Sequence, residues 1–396
     1  MLRKQASSPT GDIQSFRREF QIPRGTTFLN HASFGPVPRS ARLAVESLFQ
    51  RQGNFRGDPD VDAETFSMLA DLRKMFAKLT GADAQRVAFA PNASYGINAI
   101  LNGLNLKRGD RILVPANEFP AAVYAARSLC DRIGAKLVPV PCSTVSMDLD
   151  QLHGLLREGA AVLLMSWIQY FNGFRNDLAP IARLCHDHGV FHLVDVTQGA
   201  GAVPLDMRRD GVDAIAVGTQ KWLLGQTGGG FFAISKTPIR PVESTFGGWL
   251  GYDWGYTWGD LQRWDRPAFT DGRFWEVGTY PFYSVRLAHA GLSILAKCGT
   301  RSIYKHILSL HSRMIDGLKP TRYRAVVFPS PRNRSGIVSF SGPQTAALHK
   351  NLLANRIFVS LREGNIRVSP HFYNTMADID RLTTFVRRFE KSLGTH

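Results

Sequence analysis

Between residues 80 and 235 the chain alternates short runs that are apolar at nearly every position with stretches whose apolar residues recur at helical spacing. This alternation narrows the possible folds more than any other feature. The strand candidates are Val87–Ala90, Arg111–Pro115, Lys136–Pro141, Ala161–Trp167, Val190–Val196, Asp213–Gly218 and Gly230–Ser235. Amphipathic segments such as Ala121–Ile133, Asp150–Arg157 and Leu178–His188 lie between most of them. Strands apolar throughout need cover on both faces, so an α/β fold with a mainly parallel seven-stranded sheet between helices follows.

Two helical patterns, Ser40–Gln52 and Ala63–Leu79, precede this region. Phe246 to Trp275 follows it, rich in glycine and aromatics and holding five of the seven tryptophans. Beyond, helical patterns at Tyr283–Lys297, Ser302–Gly317, Thr345–Asn355 and Ala377–Leu393 enclose short runs at Ala325–Phe328, Ile337–Ser341, Phe358–Leu361 and Ile366–Ser369. That pattern reads as a smaller α+β domain. The expected division is an N-terminal segment (1–25), a large domain (26–275) and a small C-terminal domain (276–396).

At 396 residues, 44% apolar and 20% charged, the chain is too long for one small core and ordinary for a soluble globular protein. The formal charge of +16 is spread without a run of five basic residues, so a basic enzyme is favoured over a nucleic-acid binder. Four widely spaced cysteines suggest neither disulfides nor a zinc site, and imply a reducing compartment. The opening MLRKQASSPTGD has no apolar segment behind it, and the longest apolar run, Gly159 to Phe171, is too short to span a bilayer. A cytoplasmic protein with no membrane partner is expected.

In an open parallel sheet the ligand crevice lies outside the carboxyl ends of the strands. "PNASYG", "ANEFPAAVY", "IQYFNG", "DVTQGAG" and "TQKW" all fall there. Asp195 and Lys221 each close a buried run at that crevice, and spacing leaves two readings open. One is a structural ion pair. The other makes Lys221 a desolvated amine, its pKa lowered by burial, that forms a Schiff base with an aldehyde cofactor.

Pyridoxal phosphate needs a carboxylate at its ring nitrogen, a phosphate cradle and a face to stack on. Asp195 suits the first need. Asn92, Ala93 and Ser94, at the start of an expected helix, offer amides and a dipole for the second, unless Asn92 or Ser94 is merely an N-cap. Phe119 offers a ring face, or is core. Gln198 lies near Asp195, in reach of a phenolic oxygen.

With these residues in place, the chain resembles the fold-type I pyridoxal-phosphate enzymes of the class V aminotransferase superfamily. That group holds cysteine desulfurases, kynureninase, isopenicillin N epimerase-like proteins and an ergothioneine-pathway C–S lyase. The resemblance runs from "FLNHASFGPVP" to "NIRVSPHFYNT" and is most specific in "HLVDVTQGAGAVPLDM", "GTQKWLLGQTGGG" and "REGNIRVSPHFYNT". It implies Lys221 as the Schiff-base lysine, Asp195 at the pyridine nitrogen, Gln198 at the phenolic oxygen with Gln169 beside the ring, and Ala93 and Ser94 at the phosphate. Thr279 matches a threonine that reaches the phosphate of a neighbouring subunit, which implies a homodimer with shared active sites. Arg367 matches the arginine that grips the substrate α-carboxylate. Asn30, His31 and Ser33 match a segment that closes over the substrate.

Departures from the pattern narrow the reaction. The interval "LREGNIR" before the carboxylate arginine holds no cysteine, so persulfide-forming desulfurase activity is not expected. Phe119 and Gln220 stand where desulfurases tend to carry histidines. What remains is chemistry at Cα of an external aldimine with Lys221 as general base. A C–S β-lyase-like reaction on an S-substituted cysteine or related amino acid is preferred, with an aminotransferase or amino-acid epimerase as the alternative. Trp249, Trp254, Trp258 and Trp264 form either an aromatic wall for a bulky substrate or a packed loop. A dinucleotide site is disfavoured, since "VDVTQGAGAVP" lacks the third glycine and Pro204 interrupts the helix it needs.

Overall fold

The computed structural model describes residues 13–53, 60–255 and 259–394, so the MLRKQASSPTGD opening and Trp258 lie outside the described residues. After the short strand β1 (Thr27–Phe28) come two helices, α1 (Arg39–Gly53) and α2 (Asp60–Thr80). The alternating region follows as β2 (Val87–Ala90), α3 (Ala93–Gly103), β3 (Arg111–Pro115), α4 (Pro120–Ile133), β4 (Lys136–Val140), α5 (Leu149–Arg157), β5 (Val162–Ser166), α6 (Leu178–Asp187), β6 (Phe191–Asp195), β7 (Ala214–Gly218) and β8 (Gly230–Ile234). The remainder is α7 (Phe282–Cys298), α8 (Thr300–Leu318), β9 (Arg324–Ala325), β10 (Val338–Ser341), α9 (Thr345–Ala354), β11 (Ile357–Phe358), β12 (Ser360–Arg362), β13 (Asn365–Val368) and α10 (Met376–Ser392).

The large sheet has the order β2-β8-β7-β6-β5-β3-β4, and every pairing within it is parallel except the two that β8 makes. Period-two alternation sends Val162 and Leu164 of β5 into one core, under α3 and α4, and Leu163 and Met165 into another, beside α5 and α6. After β3 the chain passes to β4 on one side, then returns to β5 on the other. The topological switch point therefore lies between β3 and β5, and the carboxyl ends there are where a parallel sheet places its ligand crevice.

The C-terminal sheet, β12-β13-β10-β9, is antiparallel. One face packs Val338, Phe340, Ile366 and Val368 against α8, α9 and α10. Its other face is polar and docks on the loop after β5, where Ser339 Oγ donates to the Phe171 carbonyl and Ser335 Oγ to that of Gly173, both at 2.6 Å. The amino-terminal segment ties the two parts together. β1 pairs in parallel with β11, Leu29 enters the small core, and Asn30 bridges to Ser369.

Phe358–Leu361, expected as one run, is divided by buried Val359 between two sheets. Of the four tryptophans singled out in the aromatic segment, three lie within the described residues, and two of these, Trp249 and Trp254, pack as part of a loop. Trp254 is buried edge-on to Phe66 of α2 and close to Trp249, whereas Trp264 is 93% exposed.

Glu276 locks the strand that precedes the phosphate loop. Its buried carboxylate accepts the Phe89 amide of β2 at 2.8 Å, Arg73 Nε at 3.1 Å and the Tyr280 hydroxyl. Glu276→Ala leaves the Arg73 cation buried and unpaired, so it is expected to cost about 3–5 kcal/mol in denaturant unfolding. A loss below about 1 kcal/mol, the range of an exposed pair, overturns this assignment.

Candidate active site

Glu118 and Phe119 leave β3 at the switch point. The buried Glu118 carboxylate accepts the Ser166 amide at 2.6 Å and the Ser166 hydroxyl at 2.5 Å, so it staples the end of β3 to the end of β5. It also takes the Phe119 amide at 2.6 Å, which fixes the ring's origin. Burial pushes the Glu118 carboxyl upward, against these hydrogen bonds, and nearby Asp195 adds to the rise. Phe119 is 40% exposed, edge-on to Tyr170, and presents a ring face to the crevice.

Lys221 sits three residues past the end of β7, in a turn, with its Nζ 5.5 Å from the centre of the Phe119 ring. Burial lowers its pKa to about 8, with Asp195 opposing the shift and the Arg367 and Arg362 charges adding to it. Asp195 ends β6, and its Oδ1 accepts the Thr197 amide at 2.8 Å. Burial raises its pKa, while Thr197 and Lys221 pull it down. The two charges feel each other, yet among the described residues Lys221 makes no ion pair, so the structural salt-bridge reading gives way to an amine facing the crevice.

The lysine turn is held from beneath. His31 Nε2 donates to the Lys221 carbonyl at 3.1 Å, and the Gly35 amide donates to the Gln220 carbonyl at 2.9 Å. His31 Nδ1 accepts from the Tyr373 hydroxyl at 2.9 Å, and burial drives the imidazole pKa down to about 3. His31, matched to the segment that closes over the substrate or else a packed histidine, has both nitrogens occupied and a fully buried ring, and it holds the lysine turn.

Asn92 caps α3 by accepting the Tyr95 amide at 2.8 Å. The Ala93 and Ser94 amides, in the first turn, have no helical carbonyl to bond and remain open to an anion. Gly230 lets β8 approach this loop, since a Cβ there would lie 2.9 Å from the Asn92 backbone. Gln220 is half-buried beside Lys221. Thr279 is exposed and lines a cleft of about 200 Å³ with Pro91 and Tyr95, next to the same loop.

Gln169 is fully buried, and neither its oxygen nor its nitrogen has a hydrogen-bond partner. Such an amide is costly unless a ligand completes it. Gln198 donates to the Ala32 carbonyl at 3.1 Å and accepts the Trp222 indole at 3.0 Å, which orients it and leaves one amide proton over.

Arg367 on β13 is 2% exposed and bonds only neutral oxygens: the Tyr170 carbonyl at 2.6 Å, Ser33 Oγ at 2.6 Å and Ser360 Oγ at 3.5 Å. Its Nε has no partner, and burial lowers its pKa to about 10. Asn30 Oδ1 accepts from Ser360, which also contacts Ser33 at 2.9 Å. Glu118, Tyr170, Ser360 and Arg362 belong to this crevice without having been singled out in the sequence. The signal for Glu118 was a carboxylate amid the apolar stretch that ends β3.

An orphaned buried amide, open helix amides, a lysine of lowered pKa and a guanidinium without a carboxylate fit a phosphorylated aldehyde cofactor and an amino-acid substrate. Among the described residues no cluster of potential metal ligands occurs. The family model for class V aminotransferases matches residues 35–382. The chain belongs to the class V aminotransferase family. It is a pyridoxal-phosphate-dependent enzyme.

Relatives in that family include an uncharacterized aminotransferase, YcbU, of Bacillus subtilis, 25% identical across 87% of this chain and 88% of its own length. A cysteine desulfurase of Klebsiella pneumoniae is 25% identical over 97% of this chain and its full length. Among solved structures, the cystine C-S lyase C-DES, with its product cysteine persulfide, superposes with a TM-score of 0.81 at 23% identity, covering 91% of this chain and 97% of its own. The cysteine desulfurase CsdA of Escherichia coli gives 0.81 at 22% identity, covering 96% and 99%. These likenesses confirm the fold-type I architecture of a class V enzyme.

The lowered pKa of Lys221 has a direct consequence. In cofactor-free protein, its reaction with an amine-acylating reagent, followed by peptide mass spectrometry, should reach half its maximal rate at about pH 8, because the uncharged amine is the reactive form. A midpoint near the ordinary 10.5 refutes the desolvated environment.

Proposed function

We propose that the protein cleaves the β C–S bond of an S-substituted cysteine or a related amino acid, without forming a persulfide on itself. One observation carries the reading: the Lys221 amine and a buried guanidinium lacking any carboxylate, Arg367, face one crevice. Against a persulfide relay, β12 and β13 are joined by a two-residue turn, Glu363–Gly364, with positive φ at both residues, and no thiol lies on it. Cys130, Cys185 and Cys298 are buried, and burial raises the last two to about 12, far from thiolate reactivity. The four free cysteines fit a cytoplasmic location.

Pyridoxal phosphate, held covalently by Lys221, supplies an electron sink for charge at the substrate α-carbon. In this reading Asp195 keeps a proton at the ring nitrogen and Phe119 covers one face. Gln169 and Gln198 serve the phenolic side. Ala93, Ser94 and Gln220 receive the phosphate, which Thr279 from a second copy also reaches, making a homodimer with shared active sites. Arg367 holds the α-carboxylate, with Ser33 and Asn30 beside it. Lys221, once displaced from the cofactor by the substrate amine, would take the α-proton. The Cβ–S bond then breaks with its electron pair on sulfur; the thiolate takes a proton, and water converts the remaining three-carbon enamine to pyruvate and ammonia. Transamination is the second reading, favoured by the name of the Bacillus subtilis relative. Epimerisation would share the first proton transfer.

Purified holoenzyme is expected to show the visible band of lysine-bound pyridoxal, lost in Lys221→Ala, and to release pyruvate from an S-alkyl cysteine. Arg367→Ala is expected to keep the band and raise KM on the order of 100-fold. A cofactor converted to its amine form without pyruvate selects transamination, whereas alanine released from cysteine with a protein persulfide sinks the lyase reading.

A further inference from the structure

We infer that the substrate carries a second anionic group, on its side chain, and that Arg362 holds it. The inference rests on the reading of Lys221 and Arg367 above and names the substrate class within it.

The geometry comes from strand register. Ser360 pairs with Arg367 and Arg362 with Asn365, across the hairpin of β12 and β13. Leu361 and Ile366 face the small core, so alternation turns Ser360, Arg362 and Arg367 to the opposite face. That face meets the crevice: Ser360 touches Arg367, and Arg367 touches the Tyr170 carbonyl. Arg362 therefore lies two residues along the strand from Ser360, roughly 7 Å farther towards the hairpin end.

No carboxylate compensates this pair. Among the described residues neither Arg362 nor Arg367 makes an ion pair. Arg362 Nη1 donates only to the Leu361 carbonyl, at 2.8 Å. The adjacent acid, Glu363, accepts the Tyr170 hydroxyl at 3.0 Å. Arg362's field nonetheless reaches inward, lowering the pKa of both Lys221 and Arg367.

The cofactor phosphate is not a natural partner for this charge. Its proposed cradle follows β2, at one edge of the large sheet, whereas Arg362 acts beside Tyr170, past the end of β5. An α-carboxylate neutralises the buried Arg367 and leaves the half-buried Arg362 over the outer part of the substrate. A side-chain carboxylate, sulfinate or sulfonate completes the balance, and Arg's planar fork suits each of them.

Two ligands of nearly equal size separate charge from shape: S-carboxymethylcysteine and S-carbamoylmethylcysteine. Equilibrium titration of the holoenzyme's visible band, with thermal stabilisation as an independent readout, should show the carboxymethyl compound binding about 10–100-fold more tightly. Arg362→Gln should bring that ratio close to one, and Arg362→Lys should keep part of it. A wild-type ratio near one, or a ratio retained in Arg362→Gln, overturns the inference while leaving the Lys221 and Arg367 reading intact. A holoenzyme band that neither ligand perturbs overturns both. If Arg362→Gln does not fold, the wild-type ratio and Arg362→Lys decide the matter.

Discussion

A buried guanidinium bonded to neutral oxygens alone organises this molecule. Arg367 bonds the Tyr170 carbonyl from the large sheet and Ser33 from the amino-terminal segment, while sitting on the small sheet. Three parts of the chain thus meet at one cation. Hydrogen bonds alone do not offset removal of a full charge from water, which the lowering of its pKa to about 10 reflects. In the proposed function, a substrate carboxylate arriving from solvent completes the missing half of an ion pair and recovers a desolvation penalty that the fold carries in advance.

The same economy governs the lysine turn. His31, fully buried, is held neutral and gives its Nε2 proton to the Lys221 carbonyl, so the backbone is fixed without adding charge beneath the ammonium. Above it stand Phe119 and two arginines, and the compensating carboxylate, Asp195, stays out of ion-pair contact. A direct salt bridge would tie up the amine. A carboxylate that is near but not touching leaves the lysine poised close to neutrality and keeps itself available for another cationic partner.

The seven large-sheet strands were legible to within a residue or so at each end, because wholly apolar runs bounded by turn residues leave little choice of register. The expectation of helices was met equally well at α4, α5 and α6. What pattern reasoning missed depends on contacts distant in sequence. β1 is only two residues long and exists because β11 pairs with it. Glu118 gains its meaning from Ser166, and His31 from Lys221 and Tyr373, each beyond the reach of local periodicity. Lys221 and Asp195 stood out locally as charges at the ends of apolar runs, whereas Arg367 was singled out only through the family resemblance. Gln169, a neutral amide in a buried loop, is marked by no local pattern and was expected beside the ring only through the resemblance; the structure leaves both its amide atoms without a partner.

The β12–β13 hairpin bears directly on the proposed reaction, because it carries Arg362 and Arg367 and no thiol. A relay through a protein thiol needs a chain segment long enough to bring sulfur to the substrate and withdraw it. Here the connection is reduced to Glu363 and Gly364, both with positive φ, in a turn whose register is fixed by Arg362 and Asn365. In the proposed reading, a turn this tight presents a fixed charge to the crevice rather than a mobile nucleophile. Rigidity suits recognition, because an arginine that need not be ordered on binding loses less entropy when it closes on an anion.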